Sequence, residues 1–482
     1  MSPFVGLVAV AAIWPFGGGD KHAIDEEDTI KSLENRTVEV DTFSQIPQSD
    51  TKAMESYRLF LDLASGDPLL RAEAMRRLAD LQLEVGEAEQ LVANLESLEA
   101  SAFGSAVGLY QQLLTAFPDY AKNDLVLYQL ARAYEVTGET ERALDILDRL
   151  VAEYPTTVHL DEAQFRRGET LFVHKRYAEA EEAYSQVLQT GPASKFYEQA
   201  LYKHGWSSFK QMLHEGSLDS FFSLLDRKLI PYGSSDAASV ADTDRVIADM
   251  SRAEREMVED TLRVLSISFS YIDGSDSVTD YLSGRGNPPY TYIIYTNLGD
   301  LYLEKERYQD GAGAYQAFVD LDPYHVKAPL LQVEVIEAYK QGQFASLVLE
   351  GKQNFVERYA LSSPYWQRHD QESQPEVLAH LKTNFTDLAK YYHSQAQSSK
   401  QPSDYARAAQ WYQGYLESFP DDTEAPQTNF LLAEVLFESG DHGAAALEYE
   451  RTAYAYPPHD KGGEAGYAAL LAYQEHEQEL QE

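Results

Sequence analysis

A chain of 482 residues that sets 78 carboxylates against 39 Lys and Arg carries a formal charge of −39. Such a field repels phosphate backbones and anionic lipid, which argues against nucleic-acid binding and against direct membrane adsorption. The 44% hydrophobic content is ample for a large core, and the absence of cysteine excludes disulfides, thiolate metal sites, a Cys nucleophile and an acylated N-terminal cysteine.

In chain order, Phe4 to Ile13 is an apolar run too short to span a bilayer, and Ala9-Val10-Ala11 matches a signal-peptidase pattern. A basic leading region is missing, the first Lys being Lys21. Residues 1–16 are read as a signal-like segment for export, with no membrane insertion expected beyond it. Residues 17–50 are Gly-rich, then acidic, and are expected to form a flexible leader.

Residues 51–230 carry a first helical array. Ala53, Tyr57 and Phe60 are spaced for one helix face. Leu78, Ala79 and Gly86 then mark a first helix, and Ala106, Tyr110, Leu113 and Pro118 its partner. Next, one stretch repeats itself. Leu130, Ala131, Tyr134, Gly138, Ala143, Leu147, Leu150 and Pro155 are followed, 37 residues on, by Arg167, Gly168, Leu171, Lys175, Ala180, Tyr184, Val187 and Pro192. Small residues let two helices approach, large apolar ones fill the gap, and each proline stops the second helix.

The pattern breaks over 231–289, expected to be an insertion. Ser251-Arg252-Ala253-Glu254 predicts a capping box, and Val258, Leu262, Leu265, Phe269 and Ile272 predict an amphipathic helix. Residues 290–482 resume the array. Tyr295, Leu298, Gly299, Tyr302, Gly311, Tyr315, Phe318 and Pro323 form one copy, and Leu432, Ala433, Leu436, Gly440, Ala445, Tyr449 and Pro457 another. Between them, 361–375 is expected to be a connecting loop. A seven-residue lengthening follows Tyr392, with its loop placed at Ser398–Pro402. The chain ends in an incomplete repeat over Gly466–Gln481.

These offsets resemble the tetratricopeptide repeat, which implies an all-α, right-handed superhelix (an α-solenoid) of about eight helix pairs with one helical insertion. The 37-residue step exceeds the usual period of about 34. With its Pro-led junctions it is similar to repeats of bacterial envelope proteins: the lipoprotein partner of the outer-membrane β-barrel assembly machine and the periplasmic coordinator of cell division. The lack of an N-terminal cysteine departs from the lipoprotein. The resemblance implies a non-enzymatic, protein–protein interaction scaffold of the periplasm, associated with the outer membrane, within a cell-envelope assembly. A cytoplasmic adaptor, or the helical part of a longer protein, are the alternatives.

By the same resemblance, the concave surface would present Tyr128 and Arg132, then Phe165, Glu169 and Phe172, then Tyr202 and Trp206, then Asp300, then Phe430, Glu434 and Phe437. An aromatic beside an acid recurs, which suits a protein or peptide partner with apolar anchors and basic residues. The competing expectation is that the aromatics pack against neighbouring repeats and the acids are merely solvated. No cofactor, metal or catalytic set is predicted: the twelve histidines show no His-Glu-x-x-His spacing, and Gly284-Arg285-Gly286 lacks a strand–helix context.

Overall fold

The computed structural model describes residues 48–63, 66–92, 101–230 and 240–481. The signal-like run and nearly all of the leader lie outside the described residues. Two compact units, Met1–Gly138 and Glu139–Glu482, divide the chain. All regular structure among the described residues is helical.

The first unit contains α1 (Gln48–Leu63), α2 (Pro68–Val92), α3 (Ser101–Ala116) and α4 (Asn123–Val136). Leu78, Ala79 and Leu83 of α2 are buried with Phe103, Ala106, Tyr110 and Leu113 of α3. Gly86 makes that crossing possible, since a Cβ there would lie 2.9 Å from the Phe103 ring. Glu73 ties the following loop down: it accepts from Arg76 at 2.7 Å, from Lys122 at 3.1 Å and from the Tyr120 hydroxyl. Its carboxyl is held well below the ordinary range, first by Arg76 and then by Tyr120, Lys122 and Arg77 against the opposing cost of burial.

The second unit opens with α5 (Thr140–Glu153), then the hairpins α6 (Leu160–Val173) with α7 (Tyr177–Gln189) and α8 (Tyr197–Lys210) with α9 (His214–Leu229). After α10 (Val240–Asp249), α11 (Arg252–Tyr271) and α12 (Ser275–Gly284) come α13 (Thr291–Glu304) with α14 (Tyr308–Leu321), and α15 (Ala328–Gln341) with α16 (Ala345–Tyr359). The unit closes with α17 (Pro375–Ser399) and α18 (Pro402–Ser418), α19 (Ala425–Glu438) and α20 (His442–Tyr454), and α21 (Gly462–Gln481). Within this unit each hairpin packs on the next, and one core cluster runs from Leu218 of α9 to Val435 of α19.

Three local rules build the hairpins. The first is a small residue opposite a large one sixteen positions on. A Cβ on Gly168 would sit 2.6 Å from the Tyr184 ring, and one on Gly205 would sit 2.8 Å from Phe221. Gly299 faces Tyr315 in the same way. In α15–α16 the pair is inverted, Ile336 meeting Gly351. The second rule is one left-handed residue where the first helix ends, at Gly138, Lys175, Met212, Glu306, Gln343, Lys400 and Gly440. That conformation turns the chain back while the last carbonyls are satisfied.

The third rule concerns length. Seven extra residues add close to one helical turn to each of two helices. Accordingly α17 runs to Ser399 and only Lys400 and Gln401 separate it from α18, so the expected loop at Ser398–Pro402 is mostly helix. The predicted capping box is present: the Glu254 amide donates to Ser251 Oγ at 3.3 Å, and the Ser251 amide to the Glu254 carboxylate at 3.3 Å. Its helix, α11, packs between α9 and α13, and Val258, Leu262, Leu265 and Phe269 belong to their common core. The 361–375 connection contains two short 3₁₀ turns around a fully buried Tyr365.

Candidate functional site

In the first unit, Tyr128 is buried and Arg132 is paired with Glu87 at 2.6 Å across α4 and α2. In the second unit, α6 and α8 carry the largest share of the expected groove residues, with α11 beside α8. Phe165 is half-buried, stacked on Phe196 at 5.0 Å and edge-on to Tyr184 at 5.9 Å, so most of its ring serves packing. Phe172 is half-buried near the end of α6, edge-on to Tyr177 at 5.3 Å, with the Lys203 ammonium 5.1 Å from its ring centre.

On α8, Tyr202 and Trp206 are half-buried and share an acceptor that the groove expectation did not include. The Tyr202 hydroxyl and the Trp206 indole N–H both donate to one oxygen of Asp260 on α11, at 2.6 and 3.1 Å. Arg263 holds the other oxygen, and its guanidinium lies 5.8 Å from the Trp206 ring, with Lys210 at 5.0 Å. Asp260 and Arg263 were missed because α11 was assigned to an insertion. Their signal was its apolar stripe: a helix so strongly one-sided must bury that face against the array, which sets Asp260 beside the preceding first helix.

Asp300 on α13, and Phe430, Glu434 and Phe437 on α19, show what the recurring acid does. Glu169, Asp300 and Glu434 each follow the small residue of a hairpin, and each accepts the hydroxyl of the large residue opposite. Tyr184 donates to Glu169 at 2.5 Å, Tyr315 to Asp300 at 2.6 Å, and Tyr449 to Glu434. Asp80 and Tyr110 repeat the arrangement at 2.7 Å in the first unit. Burial raises the Tyr184 and Tyr449 pKa values, keeping both as donors, and burial also raises that of Asp300 against the bond from Tyr315. These acids are therefore neither merely solvated nor wholly free for a partner. Glu169 also pairs with Lys203 at 3.1 Å.

On α19, Phe430 is buried edge-on to Tyr449 at 5.5 Å, with Lys461 at 4.8 Å from its ring. Phe437 is half-buried beside His442. What α6, α8 and α11 leave accessible is thus a set of partly open aromatic faces, Phe172, Tyr202 and Trp206, among ion pairs that are already internally neutral. Such faces can take apolar anchors.

Two segments match tetratricopeptide-repeat families, residues 97–164 and residues 403–460. No curated protein matches the chain. Among solved structures, it is similar to a tetratricopeptide repeat protein from Parabacteroides merdae at 12% identity, covering 63% of this chain and 98% of that one with a TM-score of 0.27. It is also similar to YrrB, described as a tetratricopeptide protein with an unusual peptide-binding site, at 14% identity over 48% of this chain and 97% of that one, TM-score 0.26. A third is the repeat domain of P58(IPK), at 14% identity over 83% and 99%, TM-score 0.22. The two matched segments carry tetratricopeptide repeats; superpositions this loose say nothing about partners.

Proposed function

We propose that this chain is a non-enzymatic protein–protein interaction scaffold of the bacterial periplasm, serving a cell-envelope assembly. Tetratricopeptide repeats commonly mediate binding between proteins, and the chain carries them at 97–164 and 403–460. The observation that carries the reading is the row of half-buried aromatics Phe172, Tyr202 and Trp206 on neighbouring first helices. A partner segment would seat apolar side chains on these rings. The net charge of −39 would steer segments that also carry basic residues, an effect on association rate more than on final affinity. The signal-like run at Phe4–Ile13 and the lack of cysteine support the periplasmic assignment.

Location is tested by expressing the full chain in a Gram-negative host and reading the mature N-terminus by mass spectrometry. Cleavage just after Ala11, with the protein in the periplasmic fraction, is the expected result. An uncleaved chain that stays in the cytoplasm would replace the periplasmic reading with that of a cytoplasmic adaptor.

A further inference from the structure

A second surface lies on the flank of the lengthened hairpin. Counting Ile336 and Ala389 as equivalent, the turn at Gly342 falls level with Gln395, so the last turn of α17 projects past the preceding hairpin. Beside it, α15, α16 and α17 enclose an open trough of about 520 Å³. Its floor is apolar, made by Ala345, Val348 and Leu349 of α16, and Tyr391 forms one wall. Gln395 donates to the Tyr391 hydroxyl oxygen at 2.9 Å, which leaves that hydroxyl's own proton available. A more polar recess containing Ser394 and Ser398 continues from Tyr391 along α17.

The charges at this trough run against those of the chain. Lys340 and Lys352 line it against the single carboxylate of Asp387. The enclosing helices α15, α16 and α17 hold five cations (Lys340, Lys352, Arg358, Lys382, Lys390) against six carboxylates (Glu334, Glu337, Glu350, Glu357, Glu376, Asp387), close to balance where the whole chain has 39 against 78. Lys352 is committed to Asp387, its side chain only 12% exposed. Lys340 is not: its partner Glu337 is an exposed neighbour three residues back on the same helix, a kind of pair that contributes little and that an incoming carboxylate can displace.

We propose that this trough binds an acidic peptide segment, seating one aliphatic side chain on Val348, Leu349 and Tyr391 and setting a carboxylate on Lys340. Its partner chemistry is opposite to that of the aromatic groove, so one scaffold would hold two kinds of segment at once.

The test is fluorescence anisotropy of the full chain, at about 0.15 M salt to screen the distant charge, with a labelled peptide of alternating Glu and Leu and its Lys-for-Glu counterpart. Two exposed positions supply the variants, Lys340→Glu and Ala345→Glu. The acidic probe should bind the parent and weaken roughly tenfold in each variant, with unchanged melting, while Trp206→Ala leaves its binding alone and neither trough variant weakens the basic probe. No binding of the acidic probe, or acidic-probe binding that neither variant weakens, would overturn the proposal. So would sedimentation showing a dimer that either variant dissociates, because a second copy would then fill the trough.

Discussion

At five of the seven hairpin turns the left-handed position holds a residue with a side chain: Lys175, Met212, Glu306, Gln343 and Lys400. The backbone needs a positive φ there whatever the residue, and an L side chain raises its energy by about 1–2 kcal/mol. Part of that returns on substitution by glycine, whose freer unfolded chain takes back a fraction. Lys175→Gly and Met212→Gly are each expected to raise stability by about 0.5–1 kcal/mol in urea unfolding. An unchanged or lower midpoint would mean that these side chains make contacts offsetting the strain. The turn was legible in the sequence, because Gly138 aligns with Lys175 at the 37-residue step. The tyrosine–carboxylate bond was not. The acid belongs to one helix and the tyrosine to the other, and periodicity reports which face a residue occupies, never what its polar tip touches.

Helix crossings set the spacing of the elements. Gly168 lies where Tyr184 fills the gap, with no room for a Cβ, whereas Gly313 on α14 has nothing within 4 Å of where its Cβ would be. The two glycines should therefore respond in opposite directions. Gly168→Leu overpacks the crossing and is expected to cost on the order of 1–3 kcal/mol, while Gly313→Ala is expected to add about 0.5–1 kcal/mol through helix propensity. Equal melting of Gly168→Leu and the parent would contradict the register of α6 on α7. For α11, the caps and the stripe were readable and its place was not. The helix lacks the small-residue and proline marks of a repeat, yet its apolar face must be covered, and α9 and α13 cover it. The lengthened hairpin shows the reverse case, where the count of extra residues was plain and their helical state followed only from their being one turn per helix.

For the whole molecule, the excess of acids favours partners that carry basic residues, and the aromatic faces on α6 and α8 suit them. The Lys340 trough, also within the second unit, is the local exception to that excess. Composition already excluded a nucleic-acid role from expectation; it could not distinguish an aromatic that packs, like Phe165, from one that stays partly open, like Trp206, because both occupy the same face of a first helix. The central claim is that the open ones bind. The direct measurement is capture from a Gram-negative envelope fraction on the full chain and on Phe172→Ala, Tyr202→Ala and Trp206→Ala variants, with the melting of each bait recorded alongside. The expected result is recovery of envelope proteins by the parent, with losses of over about 1 kcal/mol in affinity for each variant that is a hot spot and no matching loss of stability. Undiminished capture by all three variants, together with lowered melting, would contradict the account and make these rings part of the packing alone.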